Sequence, residues 1–217
     1  MKPAAIGLHA KTFAFMLVLL AAGLPCFAQA GSLYGASVEE SAILVRVLNA
    51  GAPGPVTLQV GAQKLVAQAA GQASPYRPIA ADIYMLGYLG KSWEFLPDTG
   101  SYYTIVAGPS GLTFFKDVRH GDATRAQLYF YNLGSSGTAE LRTADGSITL
   151  VAALPPGESA QVAVNPVSVS VAAFRSGKKA GDGISLRLVR GSSCAIVLVD
   201  LAGSPRAFLV EASVAKD

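Results

Sequence analysis

The sequence predicts an all-β protein of two tandem small antiparallel β-sandwich (Ig-like) domains after a cleaved signal peptide. Three observations support this prediction. Apolar and polar residues alternate with a period of two, which is typical of half-buried strands. Turns containing glycine or proline separate these runs at short intervals. Finally, ILVRVLNAG at 43–51 returns in similar form as AQLYFYNLG at 126–134, which indicates a duplicated unit.

The first thirty residues have the pattern of a signal peptide. Lys2 and Lys11 give a basic start, 12–24 is an apolar run, and Ala28-Gln29-Ala30 supplies small residues for cleavage after Ala30. The alternative is an uncleaved anchor helix, for which the apolar run is short. We therefore expect an exported, periplasmic chain that begins at Gly31.

Charge and cysteine content argue against several classes of protein. Without Lys2 and Lys11 the 17 basic residues become 15, against 14 acidic ones, so the mature net charge is +1 and no nucleic-acid-binding face is indicated. Cys26 is lost with the signal peptide, and the preceding Pro25 argues against a lipid-modified cysteine. Cys194 then stands alone, and we expect a buried thiol, with a reactive or intermolecular thiol as the alternative.

The two copies of the repeated phrase sort their residues in the same way. In 43–47 the odd-numbered residues share one face and Arg46 points the other way. In 126–130 the even-numbered residues take the inward positions, and Tyr129 takes the position of Arg46. Asn49 and Asn132 then begin Asn-x-Gly turns, because Asn and Gly tolerate the positive φ that a turn requires.

The rest of the chain continues the strand pattern. Asp145-Gly146 predicts a two-residue hairpin, and Gly61-Ala62 is a weaker signal of the same kind. The segment 68–93 is compatible with a strand or with an irregular helix. Further strands are expected at 57–60, 102–106, 112–115, 140–143, 159–164, 167–174, 184–189, 194–199 and 207–210.

A polar segment between the two copies predicts the domain boundary. We assign 31–117 to an N-terminal β-sandwich, 118–124 to a linker and 125–217 to a C-terminal β-sandwich. The alternative is one larger sandwich.

A search for catalytic groups gives little support for an enzyme. Asp117-x-x-His120 has the acid–base spacing of one class of serine esterases and acyltransferases, but the chain has neither Gly-Asp-Ser nor Gly-x-Ser-x-Gly. One histidine and one cysteine in the mature chain are too few for a zinc site. The spacing of the carboxylates Glu94, Asp98, Glu140 and Glu158 does not favour a glycosidase pair. We expect no catalytic, cofactor or metal site.

Aromatic residues are the candidates for binding. Tyr129 and Tyr131 alternate with inward residues, so they share the opposite face of their strand. Such a face can stack on sugar rings or anchor a protein interface. The alternative is that the neighbouring domain or a loop covers it. The candidate interaction residues are Tyr34, Arg46, Trp93, Tyr129 and Tyr131.

Short motifs along most of 33–210 carry a family resemblance. They are Leu33-Tyr34-Gly35, Val45-Arg46-Val47 with Asn49-Ala50-Gly51, Tyr102-Tyr103-Thr104, Asn132-Leu133, Thr143-Ala144-Asp145-Gly146, Asn165-Pro166-Val167 and the segment 175–181. In their order and spacing they resemble AlgF, the periplasmic alginate O-acetylation family. The segment 68–93 and the tail after Phe208 depart from the family pattern. The resemblance implies two β-sandwich domains, no enzymatic activity, and an adaptor role alongside acetyltransferases.

The resulting expectation is a non-catalytic periplasmic adaptor in O-acetylation of an exported polysaccharide, either alginate or a similar polymer such as cellulose. The expected partners are periplasmic O-acetyltransferases, with a membrane-bound acyltransferase and the polysaccharide itself as further candidates. One alternative is a carbohydrate-binding module that presents the polymer to acetyltransferases. Another is an acetyl carrier that uses Cys194 or a serine. The sequence leaves open which polymer is modified and which partner each half contacts.

Overall fold

Alternating sequence patterns produce strands throughout the part of the chain that can be described. In the computed structural model, which describes residues 41–215, every regular element of that range is a β-strand. The first eight are β1 Ile43–Asn49, β2 Val56–Val60, β3 Gln63–Ala67, β4 Arg77–Ile79, β5 Tyr84–Tyr88, β6 Lys91–Phe95, β7 Tyr102–Gly108 and β8 Gly111–Asp117. The remaining nine are β9 Ala126–Leu133, β10 Ala139–Thr143, β11 Thr149–Leu154, β12 Glu158–Val164, β13 Ser168–Arg175, β14 Lys178–Lys179, β15 Ile184–Arg187, β16 Ser193–Leu201 and β17 Ser204–Glu211.

The internal repeat reappears as a repeat of sheet topology. One four-stranded sheet has the order β4-β1-β7-β8, and a second has the order β12-β9-β16-β17. The two copies of the repeated phrase, β1 and β9, occupy equivalent inner positions. In both sheets the inner pair is parallel and the outer pairs are antiparallel. The two copies therefore take equivalent places in the strand order, while the arrangement as two Ig-like sandwiches stays a prediction.

The parallel inner pairs correct one detail of the predicted fold class. The all-β class is confirmed within the described range, but β1 pairs with β7, and β9 with β16, in parallel. Parallel neighbours cannot be joined by a hairpin, so the chain must leave the sheet and return. Between β1 and β7 it forms the hairpins β2-β3 and β5-β6, and between β9 and β16 it forms the sheet β11-β10-β13-β14, with β15 paired to β13.

Two hydrophobic cores are each confined to one half of the chain. The first packs the inward face of β1, with Val45 and Val47, against the hairpins that contain Leu58 and Leu86. The second packs the inward face of β9, with Phe130, against residues of β10, β13 and β15. The inward positions predicted for 43–47 and 126–130 all lie in these cores.

A third apolar cluster joins the outward faces of the two four-stranded sheets. Leu48, Val106 and Phe115 from one sheet contact a set from the other sheet that includes Tyr131 and Val197. As a result β1 and β9 are buried on both faces, apart from the last residue of β9. A strand that lies between two cores is covered on both sides, whereas a surface strand exposes one face to water.

Of the two predicted two-residue hairpin turns, the structure contains one. Gly61-Ala62 forms the two-residue turn between β2 and β3, although its turn chemistry is the weaker of the two. Asp145-Gly146 lies in a longer connection from Thr143 to Thr149, with register shifts between β10 and β11, so the prediction of a two-residue hairpin there is wrong. The Asp145 side chain accepts hydrogen bonds from Thr143 and Ser147 and so stabilises the longer turn. The segment 68–93 forms strands rather than a helix.

The two Asn-x-Gly turns use the asparagine side chain. Asn49 is fully buried; its Oδ1 accepts from Gly51 N and Ala52 N, at 3.0 and 2.8 Å, and its Nδ2 donates to Gly54 O at 2.8 Å. Asn132 is equally buried and donates to the carbonyl of Leu154 at 2.9 Å. Neither asparagine has a positive φ. Side-chain hydrogen bonding, rather than tolerance of positive φ, therefore accounts for this residue type.

The described residues belong to a single compact unit. The predicted division at 118–124 stays a prediction. The predicted signal peptide, 1–30, lies outside the described residues. Within the described range no helix is long and apolar enough to cross a membrane.

Candidate functional site

A buried polar cluster lies where the two four-stranded sheets meet. Its five members come from five places in the chain: Arg46 on β1, Tyr76 just before β4, Thr104 on β7, Asp117 at the end of β8 and Tyr131 on β9. The parallel register places Arg46 directly opposite Thr104. None of the five side chains is exposed. The cluster therefore joins the two halves inside the molecule.

Asp117 is the acceptor at the centre of this cluster. Tyr131 Oη donates to its Oδ1 at 2.5 Å, while Thr104 Oγ1 and Tyr76 Oη donate to its Oδ2 at 2.6 and 2.8 Å. Three donors on one buried carboxylate provide the hydrogen bonds that a polar group needs when it is removed from water.

Arg46 supplies the opposite charge. Its Nε donates to Thr104 Oγ1 at 2.9 Å, and its Nη2 donates to Tyr131 Oη at 3.4 Å. Its Cζ lies 4.6 Å from the centre of the Tyr76 ring, a cation–π geometry. Among the described residues Nη1 has no hydrogen-bond partner. The guanidinium is thus coupled to Asp117 through two shared hydroxyl groups.

The protonation of the two tyrosines follows from this environment. Burial raises the pKa of Tyr76 and of Tyr131, and the nearby positive charge of Arg46 opposes that rise only in part. Both phenols therefore keep their protons and remain donors to Asp117. Chemically, the arrangement can hold the two sheets together in one orientation, because within the described residues all of its polar groups except Arg46 Nη1 are hydrogen-bonded to one another.

The predicted interaction residues fall into three groups in the structure. Arg46, Tyr129 and Tyr131 are 1, 7 and 0 % exposed, so the alternative of a covered aromatic face describes them. The rings of Tyr129 and Tyr131 are 6.5 Å apart, and Tyr129 donates to the carbonyl of Val118. Trp93 is partly exposed on β6, whereas Tyr34 lies outside the described residues. Sequence periodicity had placed Tyr129 and Tyr131 on the correct face but gave no information about the second sheet that covers it.

The residues considered for catalysis, His120, Asp117 and Cys194, do not form a nucleophile–base pair in the structure. The ring nitrogens of His120 lie 3.0 Å from Gln127 Oε1 and 2.9 Å from the carbonyl oxygen of Arg125. Asp117, three residues earlier, belongs to the buried cluster. Cys194 is partly buried, and burial, together with the negative charge of Glu211, raises the pKa of its thiol to about 11. At neutral pH this cysteine is a thiol rather than a nucleophilic thiolate.

The other polar groups form pairs rather than a centre. Asp98 pairs with Lys116 at 2.7 Å, and Glu140 pairs with Arg142. Within residues 41–215, no three His, Cys, Asp or Glu side chains are grouped so that they could hold a metal ion.

A cleft of about 330 Å³ opens near the edge of the two sheets. It is lined by the β7–β8 turn at 108–111, the segment 133–135 and Asp200. The Asp200 carboxylate accepts from Ser135 N and Oγ at 2.7 and 2.6 Å and from Arg175 Nη1 at 2.7 Å. Burial opposes ionisation of Asp200, but these hydrogen bonds lower its pKa overall. The carboxylate on β16 therefore connects the β9–β10 loop to the end of β13 and is occupied by groups of its own chain.

Comparison with known proteins identifies the family. The family model described as "Alginate O-acetyl transferase AlgF" matches residues 16–195. The chain belongs to the AlgF family. The resemblance carried by the short sequence motifs is thereby confirmed.

Individual relatives agree with this family. The chain is 28% identical to the alginate biosynthesis protein AlgF of Pseudomonas putida over 86% of its own length and 87% of the relative. It is also 28% identical to AlgF of Pseudomonas aeruginosa, over 83% and 84% of the two chains. A solved structure of the C-terminal domain of AlgF from P. aeruginosa matches with 27% identity and a TM-score of 0.37, covering 41% of this chain and 98% of that one. Membership of the AlgF family links this chain to alginate biosynthesis and O-acetylation.

Sequence reasoning missed Tyr76, Thr104 and the role of Asp117 in the buried cluster. One signal was present: Arg46 stands within an otherwise apolar strand, and a charge there needs either solvent or a buried partner. The partner lies 71 positions further along the chain, and no local pattern connects the two.

Proposed function

We propose that this protein is a non-catalytic periplasmic adaptor in the O-acetylation of an exported polysaccharide, alginate or a similar polymer, and that it docks acetyltransferase components. Family membership supports the pathway, since the relatives are named alginate biosynthesis proteins and the family model is described as an O-acetyl transferase. Docking and catalysis are both compatible with those names, so the choice between them depends on the chemistry of the side chains.

The observation that supports the adaptor role is that His120 and Cys194, the residues considered for acyl transfer, lack the contacts and the ionisation that this reaction needs. Acyl transfer needs a nucleophile and a base held within hydrogen-bond reach of each other. His120 contacts the Gln127 side chain and the Arg125 carbonyl, and the Cys194 thiol has a pKa of about 11. These conditions favour an adaptor over an acetyl carrier that uses Cys194. The burial of Tyr129 and Tyr131 likewise disfavours a sugar-stacking platform built on them.

The proposal includes an exported location and two domains. Export follows from the predicted signal peptide, with cleavage after Ala30. N-terminal sequencing of the protein from a periplasmic extract should begin at Gly31; an intact Met1 start in the cytoplasmic fraction would contradict export. Two domains would give the adaptor two surfaces, one for each partner.

Gene deletion tests the pathway, and mass measurement tests the chemistry. Deletion should remove acetyl groups from the secreted polymer while polymer secretion continues, and the wild-type gene should restore them. Unchanged acetylation after deletion would refute the proposal. Incubation of the purified mature chain with an acetyl donor should leave its intact mass unchanged. A lasting, site-specific gain of one acetyl group would instead support a carrier or transferase.

Direct binding tests the adaptor role itself. The mature chain should co-purify with the purified periplasmic O-acetyltransferase of the same polymer system. In affinity electrophoresis through alginate or acetylated cellulose it should migrate as it does without polymer. Retardation by the polymer, without any binding to the acetyltransferase, would favour the carbohydrate-binding module.

A further inference from the structure

The hairpin β5–β6 and the residues that flank it carry an unusual concentration of exposed apolar side chains. Nine large hydrophobic residues are exposed in the described range, and four of them fall within 83–96. Ile83, Met85, Leu89 and Leu96 are 58, 63, 59 and 64 % exposed. Single exposed apolar residues are normal on a protein surface, but a cluster of them on one element marks an interaction site.

The hairpin is firmly held at its base, so its tip is a defined shape. Leu86 and Phe95 are 1 and 4 % exposed in the first core. The Trp93 ring lies against Gly111 so closely that a Cβ there would be 2.5 Å from its Cζ2. Phe95 stacks on Phe114 with ring centres 5.0 Å apart. The exposed residues are thus displayed by an anchored element.

Leu89, at the tip of the hairpin, is not the residue type that the turn conformation favours. Leu89 and Gly90 connect β5 to β6 with φ of 51° and 71°. Two-residue turns with positive φ at both positions favour Asn-Gly, and a bulky side chain is strained in this region. Residues 41–215 contain two further turns of this kind, Ser176-Gly177 and Ala202-Gly203, and both place a small residue first. A leucine at this position is therefore unfavourable for the turn and is not explained by packing, since it is exposed.

The charges around the tip indicate the chemistry of its partner. Lys91 is the charged residue next to the turn; it is exposed and has no ion pair among the described residues. Glu94 is the other charge on the hairpin, so no cluster of basic residues is present that would attract an anionic membrane. Leu89 is the apolar residue at the tip, and together with the neighbouring cation it is complementary to an apolar pocket with a carboxylate at its rim.

We propose that the β5–β6 tip inserts Leu89 into an apolar pocket with an acidic rim on a folded protein of the acetylation machinery. The inference rests on the proposed adaptor function and adds the docking element and the chemistry of the surface it enters. Leu89 would fill the pocket, and Lys91 would pair with the rim carboxylate.

Two matched variants of the mature chain test the docking element. Leu89→Asn supplies the residue that the turn prefers, so the variant should fold with equal or greater thermal stability. Ile148→Asn is the control, because Ile148 is 57 % exposed on a loop of the other half of the chain. Binding to the purified periplasmic O-acetyltransferase is measured by biolayer interferometry. We expect about tenfold weaker binding or more for Leu89→Asn, and unchanged binding for Ile148→Asn.

Photo-crosslinking identifies the occupant in cells. Leu89→benzoylphenylalanine should give an adduct with a component of the acetylation machinery, identified by mass spectrometry. If wild-type chain binds the acetyltransferase and Leu89→Asn binds equally well, the docking element is refuted while the adaptor function stands. If wild-type chain binds no component at all, the adaptor function itself fails. An adduct between two copies, or co-flotation with phosphatidylethanolamine–phosphatidylglycerol vesicles that Leu89→Asn abolishes, would overturn the proposal in favour of self-association or a lipid surface.

Discussion

Replacing Asp117 by asparagine should destabilise the protein strongly without changing its surface. The substitution keeps the size of the side chain and removes its charge. Tyr131, Thr104 and Tyr76 all donate to the carboxylate, at 2.5, 2.6 and 2.8 Å. An amide can still accept at one oxygen, but in either orientation its NH₂ group faces at least one hydroxyl that now donates to the carboxylate. Arg46 also loses the only anion of the five-residue cluster.

The expected loss follows from the burial of both charges. Removing one partner of a buried charge pair costs about 3–5 kcal/mol, because the other charge is left uncompensated. Tyr131→Phe removes one hydrogen bond to the carboxylate and the acceptor for Arg46 Nη2, and it should cost about 1.5–3 kcal/mol. Replacing both charges in Arg46→Met/Asp117→Leu should give a protein more stable than either single variant, because no unpaired charge then remains.

Urea unfolding of the mature chain at pH 7 measures these differences. Trp93 is the one tryptophan and reports on the first core, while circular dichroism reports on all strands. The two signals should share one midpoint in the wild-type chain, because the cluster couples the two halves. Asp182→Asn, on an exposed loop, is the control and should leave the midpoint unchanged. A loss below about 1 kcal/mol for Asp117→Asn, or a double variant weaker than both single variants, would refute the reasoning.

Three further predictions concern the turns and the cysteine. Asn49→Ala and Asn132→Ala should each cost about 2–3 kcal/mol in urea unfolding, because both leave buried backbone groups of equivalent turns without partners; a loss at only one of them would show that the turns are not equivalent. Iodoacetamide should modify Cys194 roughly 100-fold more slowly in the folded chain at pH 8 than in urea, because its thiol pKa is raised from 9.0 to about 11; equal rates would contradict the assignment. The pKa of Asp145 is lowered from 3.8 to about 2, chiefly by hydrogen bonds from the Thr143 hydroxyl and the Ser147 backbone. The ionised carboxylate therefore stabilises the folded state at pH values above the unfolded pKa. This contribution is lost as the pH falls through the folded pKa. The difference in urea midpoint between wild type and Asp145→Ala should therefore shrink between about pH 4 and pH 2, and a difference independent of pH would exclude the carboxylate as its cause.

Local patterns predicted the elements of this fold well. Alternation in 43–47 and 126–130 identified strands and their inward faces, since a strand sends successive side chains to opposite sides. The repeated phrase identified two equivalent strands because each copy closes with the same buried asparagine turn. The Asp145-Gly146 hairpin was predicted too short, because side-chain hydrogen bonds of Asp145 stabilise a longer turn that the dipeptide alone does not reveal.

By itself, the sequence determined the all-β class, the repeated unit, the inward faces and the family to which the chain belongs. All of these depend on residues close together in the chain or on motifs in a fixed order. Only the tertiary structure decided that the inner strands pair in parallel, that the outward faces of β1 and β9 are covered, and that Arg46, Asp117 and Tyr131 meet. These three facts depend on contacts between residues far apart in sequence, and alternation has the same period whether the outward face meets water or another sheet.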